Sequence, residues 1–136
     1  MAGERMLPSS LDLAGNSIHN IYALGEALKS NSNVEELALV GNEIRAAGAQ
    51  SLADMLQVNS ALTALDVRHN QILQQLPGHG FAALADAVFE SEQIKVFCDI
   101  PVKQLRDDAL TELDLKERDI GACGALVLAH LLEFSR

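Results

Sequence analysis

The sequence predicts an α/β chain in which short parallel strands line one face and helices cover the other, and three observations carry that prediction. The pattern L-x-x-L-x-L-x-x-N-x-I recurs, with Val34 to Ile44 lining up with Leu62 to Ile72 across 28 residues. Each copy is followed by apolar residues spaced along one helical face. Glycine or asparagine punctuates the joins, with Gly48, Gly80 and Gly124 ahead of helical segments and Asn31 and Asn59 behind two of them. A unit of about 28 residues cannot bury its own apolar edge, so such units must stack.

The elements follow in order. The first copy runs from Pro8 to Ile18, with Pro8 in the first apolar slot, and leads to Ile21, Leu24 and Leu28 at helical spacing. The second leads to Ala49, Leu52 and Leu56, and the third to Phe81, Leu84 and Val88. The loop Gln71 to Gly80 ahead of that third helix is four residues longer than its counterpart, and Pro77-Gly78 reads as a turn. Ile94 to Val102 again has a strand pattern, with Asp99 in an apolar slot. Only sixteen residues separate Phe97 from Leu113, which predicts a short turn or one helical turn over Val102 to Asp108. The last copy, Leu110 to Ile120, has Arg118 where asparagine is expected and leads to Ala125, Leu128 and Leu132. About five strand turns and four helices result. Stacking sets Leu37 and Leu39 between Leu11 and Leu13 on one side and Leu65 and Val67 on the other. Asn16, Asn42 and Asn70 fall where the chain leaves each strand, and a side-chain amide there can bond backbone groups that the turn leaves unpaired. They are the expected structural asparagine ladder.

This pattern resembles the leucine-rich repeats of the ribonuclease-inhibitor-like subclass over residues 7–136, and Gly48-Ala49-Gln50-Ser51-Leu52-Ala53-Asp54-Met55-Leu56-Gln57-Val58-Asn59 is similar to that family's G-A-x-x-L-A-x-x-L-x-x-N helix signature. The resemblance implies a leucine-rich-repeat solenoid with a curved parallel sheet on its concave face and helices on its convex face. It divides the chain into a flexible N-terminus at residues 1–6 and a single repeat domain at 7–136, with an irregular short repeat near 94–109. An eroded repeat explains that irregularity better than a functional loop, since Lys103 to Asp108 has no catalytic or phosphate-binding shape. Ribonuclease inhibition is not carried over. The inhibitor forms a much longer arc, and this chain has no Trp, one Tyr and four Phe to serve as anchors of a tight interface. Leu126, Leu128, Leu131 and Leu132 stand at the end without a polar cap, which a longer natural chain or another molecule would cover.

Composition narrows the function classes. With 49% hydrophobic and 21% charged residues the chain fits a folded domain. It has no run long enough for a membrane span and no apolar secretory core in Met1 to Met6, which points to an intracellular, cytoplasmic protein. Ten basic against nineteen acidic residues leave a net charge of −9, opposing nucleic acid and anionic membranes as partners. Two cysteines are too few for a disulfide scaffold and lack metal-ligand spacing, so neither metal nor cofactor is expected. Cys98 falls on a solvent-facing strand position, and Cys123 lies near a helix start, where a thiolate is favoured. Gly121-Ala122-Cys123-Gly124 lacks the lysine and spacing of a phosphate loop. His19, His69, His79 and His130 fall in loops or on helix surfaces without a carboxylate and a nucleophile beside them, so no catalytic residue and no enzyme is expected.

Strand alternation leaves Asp12, Glu36, Ala38, Val40, Asp66, Arg68, Val96, Ile100, Glu112, Asp114 and Lys116 on the concave face. The acidic row Asp12, Glu36, Asp66, Glu112 and Asp114 suits another protein with a basic surface, with Val40, Val96 and Ile100 as apolar contacts. The expected function is therefore non-catalytic protein-protein recognition, as an adaptor or scaffold segment. Two alternatives stand beside it. One is a regulator of a small GTPase resembling Ran GTPase-activating protein, none of whose functional positions matches residue by residue here. The other is a structural segment of a larger leucine-rich-repeat receptor. A homo-oligomer is not favoured.

Overall fold

A computed structural model describes residues 8–70 and 79–134. The expected flexible segment 1–6, the Pro77-Gly78 turn and the side chains of His79 and Phe81 lie outside the described residues. The chain runs β1 (Ser10–Asp12), α1 (Tyr22–Ser30), β2 (Glu36–Ala38), α2 (Ala46–Val58), β3 (Ala64–Asp66), α3 (His79–Glu90), β4 (Val96–Phe97), α4 (Val102–Arg106) and α5 (Gly121–Phe134).

The strands form one parallel sheet in the order β1-β2-β3-β4. Its register sets Leu11 beside Leu37, Leu37 beside Leu65 and Leu65 beside Phe97. Leu37, Leu65 and Phe97 are buried, while Leu11 on the edge strand is half-buried. The strands are short because the chain turns out of the sheet at once. The residue just before each ladder position is left-handed in all four copies: Gly15, Gly41, His69 and Glu117 have φ of 69°, 68°, 58° and 59°. Glycine adopts that conformation freely, whereas histidine and glutamate are held in it at a cost.

The helices pack in series, α1 on α2, α2 on α3 and α3 on α5. Ile21, Leu28, Ala49, Leu52, Leu56, Leu84 and Val88 are buried, as helical spacing requires. Two glycines let α2 and α5 close onto the isoleucines that lead into them. A Cβ on Gly48 would lie 2.6 Å from Ile44 Cγ2, and one on Gly124 would lie 2.7 Å from Ile120 Cβ and 3.0 Å from Ile100 Cδ1. In α5 the expected stripe Ala125, Leu128, Leu132 is not the buried one. Val127 and Leu131 are buried, while Leu132 is 66% exposed. No described helix packs on the side of α5 away from α3, so residues that face a following helix in α2 meet solvent here.

The sheet contains four strands among the described residues, not five, because β4 ends in a reversal. Cys98 and Asp99 both have positive φ, 50° and 65°. Phe97 and Ile100 exchange both backbone hydrogen bonds across them, at 3.0 and 2.9 Å, the pattern of a two-residue turn of type I′. In the register of this sheet alternate residues face the next strand, as when Leu13 N–H donates to Ala38 and Leu39 N–H to Asp66, and Cys98 N–H points back to Leu65. Phe97 therefore faces forward, and its N–H and carbonyl are taken by Ile100. No edge remains for a fifth strand, and residues 110–116 form none. The segment expected to hold one helical turn contains α4.

Two asparagine series tie neighbouring repeats together. Asn42 Oδ1 accepts from the N–H groups of Asn16 and Ile18 at 3.0 and 2.9 Å, and its amide donates to the carbonyls of Leu13 and Leu39 at 3.0 and 3.1 Å. Asn70 accepts from Ile44 N–H and donates to Leu39 and Val67. Asn16, exposed at the first turn, donates to the carbonyls of Leu13 and Ala14 in its own repeat. The second series sits past the helix ends, where Asn59 donates to Leu28 and Asn31 at 2.6 and 3.2 Å and accepts from Ala61 and Leu62.

In the irregular repeat, arginines take over both tasks. Arg106 donates to the carbonyls of Val88, Ser91 and Ile94, and Val88 and Ser91 are the counterparts of Leu28 and Asn31. Arg118, in the asparagine slot, donates to the Asp99 carbonyl at 3.1 Å, the counterpart of the bond from Asn70 to Leu39.

Candidate functional site

The face of the sheet opposite the core carries a groove of about 300 Å³. Its floor is small because Ala38 ends β2 and Ala64 begins β3, and its sides are Ser10, Asp12, Glu36, Asp66, Val96 and Asp99. Strand alternation places the first five of these side residues together. Asp99 arrives by another route, since the left-handed turn points it outward.

The carboxylates differ in their surroundings. Asp12 is exposed and accepts from Ala14 N–H at 3.0 Å. Glu36, also exposed, accepts from the Ser10 hydroxyl at 3.5 Å. Asp66 is gripped by Arg68, with Nε 2.9 Å from Oδ1 and Nη2 2.6 Å from Oδ2. This hydrogen bond, opposed by burial, raises the pKa of Arg68. Arg68 also donates to the carbonyl of Arg118, whose Nη1 stands 3.8 Å from Asp99 Oδ2.

Of the residues expected on this surface, Asp12, Glu36, Ala38, Asp66 and Val96 line the groove. Val40 is half-buried just beyond β2, and Arg68 lies beside the groove on Asp66. Ile100 is fully buried, against expectation, because the Cys98-Asp99 turn folds it back under the sheet edge. Glu112, Asp114 and Lys116 are exposed on a segment with no strand and do not line the groove. Asp99 and Arg118 were not anticipated as neighbours of the site. The mismatch of Asp99 with an apolar slot and of Arg118 with an asparagine slot were their only signals.

Cys98 is buried rather than solvent-facing. Its hydrogen bond with Cys123 and the burial of that thiol push the Cys123 pKa well up, the reverse of the shift expected from a helix start. Three histidines have carboxylate neighbours, each across repeats: His19 with Glu43 at 4.0 Å, His69 with Asp119 at 2.9 Å and His130 with Asp86 at 3.8 Å. Among the described residues no group of three or more His, Cys, Asp or Glu is placed to hold a metal ion. No described helix is long and apolar enough to cross a membrane.

Residues 30–53 and 58–72 match a family model described as a leucine-rich repeat, and these segments span the β2-α2-β3 unit whose register is given above. Over those two segments the chain carries the leucine-rich repeat pattern. The ribonuclease-inhibitor-like subclass is consistent with its full helices between strands. Among solved structures, the chain is similar in fold to leiomodin-1 actin-binding site 2, with a TM-score of 0.58 and 16% identity over 92% of this chain and 83% of that one. A tropomodulin C-terminal domain from Caenorhabditis elegans matches with a TM-score of 0.47 and 13% identity over 93% of this chain and 85% of that one.

Proposed function

We propose that this protein is a non-catalytic recognition module whose strand face binds another protein with a basic surface. The observation that carries the reading is the groove, where carboxylates from β1, β2 and β3 and from the Cys98-Asp99 turn surround a floor of alanines. Complementary charge of that kind directs encounter and orientation. In this reading the repeats form a short curved solenoid and the groove lies on its concave side. Protein binding is also the role named for the leiomodin structure of similar fold, which makes actin the first purified partner to test.

The test compares wild type with Asp12→Asn plus Glu36→Gln, which removes two exposed charges and retains hydrogen-bonding groups. Asp66 is left intact because it holds Arg68. A control on the helical side carries Glu26→Gln plus Asp54→Asn. Binding to actin, and to proteins captured from lysate and then purified, is measured by surface plasmon resonance. Each exposed charge pair contributes about 0.2 to 1 kcal/mol, so the strand-face variant should bind about 2- to 30-fold more weakly and the control should match wild type. Loss of binding in the control alone would place the interface on the helices and refute the strand-face reading.

A further inference from the structure

The carboxylates around the groove are not equally available to a partner. Asp66 is held by Arg68 and Asp99 lies against Arg118. Asp12 and Glu36 have hydrogen bonds to Ala14 N–H and to the Ser10 hydroxyl but no cationic partner among the described residues. Val96, 37% exposed, is the apolar residue at the opposite end from β1. The groove thus runs from two unneutralised acids on β1 and β2 to an apolar ledge on β4, with its third and fourth carboxylates already answered from within.

Resting on the strand-face reading above, we propose that the groove is polarised across the strands and takes an extended segment in one orientation. A lysine or arginine of the partner seats at Asp12 and Glu36, its apolar neighbour rests on Val96, and Arg118 acts as an internal cation that closes the Asp99 end to a second basic side chain. Arg118 is suited to that role by its anchorage. Its guanidinium bonds the Asp99 carbonyl, its own carbonyl accepts from Arg68, and Arg68 is fixed by Asp66. A basic group arriving at Asp99 would meet the Arg118 guanidinium 3.8 Å from the carboxylate, whereas the same group at Asp12 and Glu36 meets two acids on adjacent strands. Charge repulsion at one end and attraction at the other define direction as well as affinity. The small floor at Ala38 lets a long side chain lie across it.

The test uses the full chain, labelled with ¹⁵N, and three blocked synthetic peptides: one with a lysine two residues from a leucine, one with norleucine in place of the lysine, and one with glutamate there. A fourth peptide carries two lysines flanking the leucine. The lysine peptide should shift the amides around Asp12 and Glu36 together with Val96. Asp12→Asn plus Glu36→Gln should weaken it by about 2- to 30-fold and leave the norleucine peptide unchanged. Arg118→Gln keeps an amide donor for the Asp99 carbonyl but removes the charge. It should strengthen the two-lysine peptide by about 1.5- to 5-fold, with new shifts at Asp99. Equal binding of lysine and glutamate peptides on the strand face, or an Arg118→Gln variant indistinguishable from wild type, would overturn the polarised groove while leaving the strand face as the interface. Shifts confined to the helices would overturn both. No shift with any peptide at millimolar concentration would overturn the polarised groove alone, since the larger interface is tested separately with whole proteins.

Discussion

Asn42 shows how much one side chain can do in a stacked fold. It satisfies two N–H groups of the preceding repeat and carbonyls in both repeats, in a position only 5% exposed. Truncation to Ala leaves buried groups without partners, which costs about 1–3 kcal/mol. Asn16→Ala, at an exposed turn with bonds only within its own repeat, should cost less than about 1 kcal/mol; urea unfolding of the two variants measures the difference. Asn42 was legible in the sequence because the repeat period marks its slot. Arg106 was not, because an arginine within a charged stretch reads as solvated. Only the fold brings it to the carbonyls of Val88, Ser91 and Ile94, where burial lowers its pKa. Arg106→Lys should not restore what Arg106→Ala loses, since an ammonium lacks the planar fork that meets several carbonyls at once.

At the level of the element, two glycines inside helices predict opposite outcomes. In α1, a Cβ on Gly25 would meet nothing nearer than the Ser51 carbonyl at 3.5 Å, an ordinary contact. Gly25→Ala should therefore gain up to about 1 kcal/mol from helix propensity. In α2, a Cβ on Gly48 would press to 2.6 Å on Ile44 Cγ2, a branched and buried side chain that has little room to yield. Overpacking of about 1–3 kcal/mol outweighs the same propensity gain, so Gly48→Ala should lower the thermal midpoint while Gly25→Ala raises it. Helix positions were legible from apolar spacing, but this difference depends on packing, with the neighbouring helix at Gly25 and with the Ile44 side chain that leads into α2 at Gly48. Strand β4 carries the same lesson in reverse. Its apolar pattern reads as a strand from Ile94 to Val102, yet only Val96–Phe97 pair, because the turn at Cys98-Asp99 interrupts the alternation on which the reading depends.

For the molecule as a whole, the contact between the Cys98 turn and α5 predicts a pH dependence. Hydrogen bonding with Cys98 and burial raise the Cys123 pKa in the folded state, above the unfolded thiol value of about 8.5. The folded chain therefore holds this proton more tightly than the unfolded chain. The associated stability is fully present below about pH 8.5 and is lost as pH rises from there toward the folded pKa, with a slope of about 1.4 kcal/mol per pH unit. Urea midpoints should fall between about pH 8.5 and 10 in wild type, and Cys123→Ser, which keeps a hydrogen-bonding group that does not titrate there, should flatten the fall. An identical slope in the variant would assign it to other groups. The sequence places Cys98 and Cys123 in separate repeats, and neither position announces the other.

Amino-acid order alone determined what is local and repeated. The period of the apolar residues dictates that Leu11, Leu37, Leu65 and Phe97 share one register, and turn chemistry dictates where Asn16, Asn42 and Asn70 leave the strands. Those properties need only a few neighbouring residues, and repetition makes them legible. The tertiary structure decided where the sheet stops, which acids share a groove and which of them remain without a cation. Each of those outcomes depends on groups meeting through space. Ile100 occupies the forward edge of Phe97 and so ends the sheet. Arg68 holds Asp66 from two residues away on the same strand face, but Arg118 reaches Asp99 across a separation along the chain that carries no information about their distance.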